Sequence, residues 1–256
     1  QAARAGKHVL TEKPMDVKVS RAREMIRICR EAGVKLAVIF QRRTSPAARR
    51  IREAVQGGEL GRMYLGDAYL KYFRDQAYYD SGDWRGTLDL DGGALMNQGV
   101  HCIDLLQWIM GPVASVFGSV DHLARRIEAE DVGLAVLKFR SGAMGVLEGT
   151  TLSNPDLGNR LELHGERGVI VWEEGIHKWV VDRSDLTEKL QQEVQAQETG
   201  LSGHTLQLRD LVAAIREDRA PLVSGEDGLH AVEIINAVYE SSRVGRPVEL
   251  PGRNLH

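Results

Sequence analysis

The distribution of apolar and polar positions separates an opening α/β repeat from a strand-rich remainder. KHVLTE at 7–12 reads as a short strand, punctuated by Pro14. From 20 to 32 apolar residues recur at Ala22, Met25, Ile26 and Cys29, a helical period, with Ser20 as N-cap and Gly33 just past the end. VKLAVIF at 34–40 is a continuous, β-branched apolar run, the pattern of a strand buried on both faces of a parallel sheet. Strand, helix and strand in succession make one βαβ unit. A second amphipathic helix is predicted over 47–56, ending at Gly57-Gly58.

The texture then changes. MYLGDAYLKYF at 63–73 alternates as a strand does, and RDQAYYDSGDWRGTLDLDGG after it reads as one long loop. Loops of that length in compact domains are functional or disordered, and two tyrosines with a tryptophan argue against disorder. VASVFGSVD, GLAVLKF, AMGVLEGTT, NRLELHG and GVIVWEE follow as strand candidates, joined by hairpin-like turns, which predicts an antiparallel or mixed sheet. Helices over 205–217 and 228–243 precede a final PVELP. There are no repeats and no low-complexity tract.

Between the loop and the strands lies GGALMNQGVHCIDLLQW, residues 92–108. An apolar, helix-like run here carries Asn97, His101 and Asp104, four and three residues apart, so an α-helix would project all three from one face. Two readings stand side by side. One is a core histidine held by Asp104 or by a capping network. The other is a general base on a rigid helix, since imidazole titrates nearest neutrality. The glycines before Ala94 would let a backbone or a ligand approach the helix start. Lys13 ends the first strand, just before Pro14. It stands either solvated or where open α/β sheets bind ligands, at the carboxyl ends of their strands.

Composition narrows the field. The chain is 256 residues long, 43% hydrophobic and 27% charged, as globular proteins are. A net charge of -3 gives no footprint for nucleic acid. No apolar run approaches the roughly 20 residues of a membrane span. Cys29 and Cys102, far apart in apolar segments, read as buried thiols of a reducing compartment, so the expectation is a cytoplasmic protein bound to neither nucleic acid nor membrane. The histidines show neither H-x-x-x-H spacing nor a Cys/His cluster, so no metal site is expected. Cys102 points about 100° away from its neighbour His101 on a helix and reads as a packed thiol.

GKHVL followed by EKPM, then DWRG in the long loop, then DGGALMNQGVHCIDLLQW, in that order, resembles the glucose-fructose oxidoreductase / inositol dehydrogenase / rhizopine catabolism (Gfo/Idh/MocA) family. The resemblance runs on through GHTLQLRDLVAAI and GLHAVEIINAVYESSRVGRPVELP. It implies an α/β fold: residues 1–45 as the C-terminal remnant of a dinucleotide-binding Rossmann domain, and 46–256 as an α/β substrate and oligomerisation domain. The second part would hold a large, mostly antiparallel sheet flanked by helices. It also implies oxidation or reduction of a secondary hydroxyl of a sugar, polyol or related compound with NAD or NADP, and a homodimer or homotetramer formed through that sheet.

Carried over by position, the resemblance places the catalytic lysine at Lys13, the catalytic histidine at His101 and a third polar residue at Asn97, where many relatives have Asp. Glu12, Lys13 and Pro14 would face the cofactor, bordered by Gln41, Arg42, Trp84 and Arg85. His204, at the start of the 205–217 helix, reads as a capping histidine or a substrate contact, together with Lys13, Asn97 and His101. In that scheme His101 takes the hydroxyl proton while Lys13 stabilises the oxygen. The chain carries no G-x-G-x-x-G and begins in mid-element, so it reads as the back part of something longer, with weak or absent dinucleotide binding by this chain alone. Two alternatives stand beside the dehydrogenase: an NAD-dependent glycosidase-like member, and a non-catalytic, self-associating fragment that binds a sugar or a partner.

Overall fold

The computed structural model describes residues 1–252. Its first unit is strand β1 (Val9–Thr11), helix α1 (Val19–Glu31) and strand β2 (Leu36–Val38), with the two strands parallel and Val9 opposite Leu36. α1 buries Ala22, Ile26 and Cys29, spaced four and three apart on one stripe. The helix starts one residue before Ser20. Its N-cap is Lys18, whose backbone N–H donates 2.8 Å to Asp16 Oδ1, so Ser20 caps nothing. Gly33 takes the left-handed conformation (φ 65°) that lets the chain leave the helix and enter β2. After β2 a 3-10 turn (Gln41–Thr44) leads into α2 (Pro46–Gln56), which buries Ala47, Ala48, Ile51, Ala54 and Val55.

The remainder is built on a nine-stranded sheet. Its strands are β3 (Met63–Lys71), β4 (Val113–Asp121), β5 (Val132–Phe139), β6 (Met144–Thr150), β7 (Gly158–Gly165), β8 (Gly168–Trp172), β9 (Ile176–Val181), β10 (Ser184–Asp185) and β11 (Val248–Glu249). They lie in the order β10-β9-β8-β7-β3-β6-β5-β4-β11, antiparallel throughout except for the parallel pair β3 and β6. The hairpins foreseen from the turns produce the antiparallel majority. The parallel pair arises because β3 is followed by the long loop and by helices, and its chain returns to the sheet elsewhere.

Helices α3 (Gln76–Asp80), α4 (Val100–Met110), α5 (Thr187–Gln195), α6 (Gly203–Arg216) and α7 (Gly225–Val244) complete the chain. α3 and α5 were not foreseen; α3 folds inside the stretch read as loop, N-capped by Asp75, which accepts the Tyr78 N–H at 2.8 Å. α7 starts with a capping box between Ser224 and Asp227 and ends at left-handed Gly245. One apolar core joins the βαβ unit, α2, α4, α7 and one face of the large sheet. α4 is largely apolar because it is enclosed: residues 102–110 are all buried, Asp104 and Gln107 among them. Along β5, Gly133, Ala135, Leu137 and Phe139 face this core while Leu134, Val136 and Lys138 point outward. The fold brings the carboxyl ends of β1 and β2 over the start of α4.

Candidate active site

The segment between the two glycines and α4 is a π-helix, Ala94–Gly99, and its start shows what the glycines do. The Ala94 N–H donates to the Glu130 carbonyl at 2.9 Å and the Leu95 N–H to Glu130 Oε1 at 2.8 Å, so Glu130 satisfies donors a helix start leaves open. A Cβ on Gly93 would lie 2.0 Å from the Glu130 carbonyl oxygen and 2.4 Å from Oε2. The close approach expected at these glycines is therefore made by Glu130 of the same chain. Glu130 is buried, takes a hydrogen bond from Tyr239 Oη at 3.1 Å, and burial raises its carboxyl to about 7.

The π-helix also changes the predicted geometry. Asn97 lies in this wider turn and so does not keep the α-helical face it was predicted to share with His101 and Asp104, which both lie in α4. Asp104 is fully buried and takes two hydrogen bonds from Arg43, at 2.8 Å from Nε and 2.6 Å from Nη2. It therefore neither holds nor orients His101. The core-histidine reading fails on this point, because the carboxylate spends its acceptors on a guanidinium from the turn after β2.

Asn97 meets Lys13 instead. Lys13 follows β1 and precedes a cis peptide bond to Pro14. Its Nζ donates to the Asn97 carbonyl at 2.9 Å and to Asn97 Oδ1 at 3.4 Å, across 84 residues of sequence. The amide nitrogen of Asn97 in turn donates to Asp91, which also accepts the Gly86 N–H at 2.8 Å. Burial holds the Lys13 ammonium below the ordinary lysine range, Glu12 and Asp91 pulling it back up. Asp91 was missed in the sequence reading; its one signal was its place directly before the glycine pair.

One turn further, His101 packs edge-on against Phe40, with ring centroids 5.7 Å apart. Its Nδ1 is buried and has no hydrogen-bond partner among the described residues. Burial first, and then the charges of Lys13, Arg42 and His204, push the imidazole down to about 3. The charges of Lys13, Arg42 and His204 thus all act on this one histidine. His204, in the first turn of α6, meets Glu12 Oε1 through Nε2 at 3.0 Å; Ser202, not His204, caps that helix. Cys102, beside His101 in sequence, is a buried thiol raised to about 12.

The remaining expected residues divide. Gln41 and Arg42 lie in the turn after β2, and Gln41 Oε1 is buried without a partner. Arg42 donates to Asn159 Oδ1, reaches Glu174 at 3.5 Å and lies over the Trp172 ring at 5.5 Å. Trp84 and Arg85 sit in the long loop. Arg85 stacks on Tyr78 at 4.2 Å and on Trp84 at 4.4 Å, and its charge reaches Asp91, while Trp84 is 46% exposed. Tyr72, Tyr78 and Asn159 border the site and escaped the sequence reading, since strand ends and loop aromatics carry no motif. A groove of about 1770 Å³ lies away from these residues, beside Arg52, Trp108, Arg140 and the start of α7.

The residues at the carboxyl ends of β1 and β2 suit the nicotinamide half of a dinucleotide. Two buried polar atoms there, Gln41 Oε1 and His101 Nδ1, lack partners among the described residues, and the parallel pair presents Glu12, Lys13 and Pro14 where open α/β sheets bind such ligands.

Comparison with known proteins agrees with this geometry. Residues 1–40 match the family profile described as "Oxidoreductase family, NAD-binding Rossmann fold", and residues 52–250 match "Oxidoreductase family, C-terminal alpha/beta domain". The crystal structure of the WlbA dehydrogenase from Bordetella pertussis, in complex with NADH and UDP-GlcNAcA, superposes with a TM-score of 0.89. It is 36% identical, over 98% of this chain and 75% of that one. Myo-inositol 2-dehydrogenase of Thermotoga maritima is 26% identical over 97% of this chain and 74% of its own. The NADP-dependent D-xylose 1-dehydrogenase of Haloarcula marismortui is 25% identical over 97% and 69%. A parallel β1–β2 pair, a large mixed sheet and profile matches along most of its length make this chain a member of the Gfo/Idh/MocA oxidoreductase family.

Proposed function

We propose that the protein interconverts a secondary alcohol and a ketone on a sugar or polyol, with Lys13 and His101 as the groups that hold the reacting oxygen. The observation that carries this reading is Lys13 Nζ bound to Asn97, with its charge felt by His101: a cation and a neutral imidazole share one site although 88 positions separate them. A nicotinamide dinucleotide, when bound, supplies the two-electron redox chemistry; Glu12, Lys13, Pro14, Gln41 and Arg42 are the residues placed to hold it.

In this scheme each side chain has a physical task. Burial keeps His101 unprotonated at neutral pH, so its imidazole can accept the proton of a substrate hydroxyl. The Lys13 ammonium donates to the oxygen as negative charge develops on it. Asn97 aims Lys13, and Asp91 aims Asn97. His204 and Glu12 border the same space.

The relatives support a carbohydrate substrate: the neighbours above are inositol and xylose dehydrogenases and a dehydrogenase in complex with UDP-GlcNAcA. Residues 1–45 belong to the dinucleotide side in this reading, and the part from 46 onward to substrate and self-association. The open face of the large sheet supports association between copies. Phe117 and Val136 are exposed on adjacent strands and in register, Val146 continues the row, and Leu134 and Met144 lie exposed beside it. Among the described residues no helix is long and apolar enough to cross a membrane. The two buried free thiols support a reducing compartment, hence the cytoplasm.

The test is formation of reduced nicotinamide by the protein with NAD or NADP over a panel of sugars and polyols. Replacing His101 by Ala lowers turnover on the accepted sugar by roughly 100-fold or more. A variant as fast as the parent would remove His101 from the chemistry.

A further inference from the structure

Beside Lys13 and His101, guanidinium groups and aromatic rings alternate in a series. Arg42 lies beside the Tyr72 hydroxyl; Arg74 sits over Tyr72 at 5.7 Å and over Tyr78 at 5.4 Å; Arg85 sits over Tyr78 at 4.2 Å and over Trp84 at 4.4 Å. One end of the series acts on His101 through Arg42, and the other acts on Asp91 through Arg85.

The carboxylates facing this series are few. Arg42 meets Glu174 at 3.5 Å and Arg74 meets Asp156 at 3.3 Å, both partners substantially exposed. Arg85 has no ion pair among the described residues. A stacked guanidinium spends its face on the ring and keeps its N–H edge for an acceptor in the ring plane. A neutral sugar needs hydroxyl partners such as Asn, Asp or Glu, and three cations in a row do nothing for it. An anionic oxygen group does use them, and bidentate geometry makes arginine the matching residue for carboxylate or phosphate.

Resting on the dehydrogenase reading above, we propose that the substrate is an anionic sugar, its carboxylate or phosphate held along the Arg42–Arg74–Arg85 series while its reacting hydroxyl lies at Lys13 and His101. The aromatic members, with Trp84 exposed at the end, give a flat group attached to the sugar a surface to stack on.

The test titrates the intact protein by calorimetry with UDP-glucose, glucose 1-phosphate, glucuronate and glucose, at low and at high salt, without a dinucleotide. At least one anionic probe binds 10-fold or more tightly than glucose, and the advantage shrinks as salt rises. UDP-glucose and glucose 1-phosphate, which has no flat base, both ahead of glucuronate identify phosphate as the group held, and the reverse order a carboxylate. The double variant Arg74→Gln, Arg85→Gln weakens the favoured probe about 10-fold and leaves glucose as it was. Circular dichroism checks the fold, and the single Arg85→Gln, in a surface loop, serves if the double variant is unfolded. Glucose binding as tightly as every anionic probe, absence of binding by any anionic probe, or no effect of the arginine changes would each overturn the proposal. Nicotinamide reduction is scored separately: arginine-dependent binding with no sugar ever oxidised retires the dehydrogenase reading and leaves the ligand class standing.

Discussion

Arg43 and Asp104 form a two-pronged ion pair inside the core, both side chains about 1% exposed, joining the turn after β2 to the middle of α4. Asp227, at the start of α7, meets the same guanidinium at 3.2 Å, so one arginine ties together three elements beneath the candidate site. Deleting one partner strands the other charge in the core. Asp104→Ala should therefore cost about 3–5 kcal/mol, read from urea unfolding. A loss below about 1 kcal/mol would mean that the pair carries no such burden.

The His101 imidazole is expected to remain neutral across the physiological range, since its pKa is pushed to about 3 by burial and neighbouring cations. Its ring-proton NMR shifts should stay flat from pH 5 to 8. Lys13→Met removes one of those cations and should move the midpoint upward. A wild-type midpoint near 6.5, the free-imidazole value, would contradict the burial and charge described for this site.

Asn97 is an amide against the Lys13 ammonium. Asn97→Asp places a carboxylate there and raises the lysine's pKa, because an adjacent anion favours the charged form. Burial lowers that pKa in the parent, so the ammonium is lost at lower pH than in an exposed lysine. The alkaline limb of kcat/KM should accordingly shift to higher pH in Asn97→Asp. A limb that stays put or moves down would separate Lys13 from the pH dependence.

Glu130 links pH to stability under the π-helix. Its carboxyl is raised from 4.5 to about 7 in the folded protein, so between those values the folded state binds a proton that the unfolded state has released. Its contribution is complete below pH 4.5 and is lost as pH rises through about 7. Some 2.5 units correspond to about 3 kcal/mol. The isosteric Glu130→Gln cannot titrate, so from pH 5 to 8 it should lose about 2–3 kcal/mol less unfolding free energy than the parent. Parallel pH profiles for the two proteins would rule out the linkage. Gly93→Ala, whose methyl would strike the Glu130 backbone, should destabilise at every pH.

Much of the architecture was legible because periodicity records burial. The stripe of Ala22, Ile26 and Cys29 and the alternation along β5 are visible before folding, since each repeats with the geometry of its element. The short helices α3 and α5 were not, because neither carries a long amphipathic repeat. The motif residues Lys13, Asn97 and His101 were legible too, but as fragments of a family pattern. The expected partnership of Asp104 with His101 was wrong because spacing along one helix cannot show that Arg43, 61 positions away, takes both carboxylate oxygens of Asp104.

The sequence by itself determined a parallel βαβ unit followed by a large sheet, two thiols packed in apolar segments, and the side chains available for chemistry, because side-chain pattern and composition are local properties. Only the tertiary structure decided who meets whom: Lys13 with Asn97, Asp104 with Arg43, Glu12 with His204, and three arginines in line with their rings. The first three pairings join residues 61 to 192 positions apart, and charge and desolvation depend on distance in space, which no local repeat encodes.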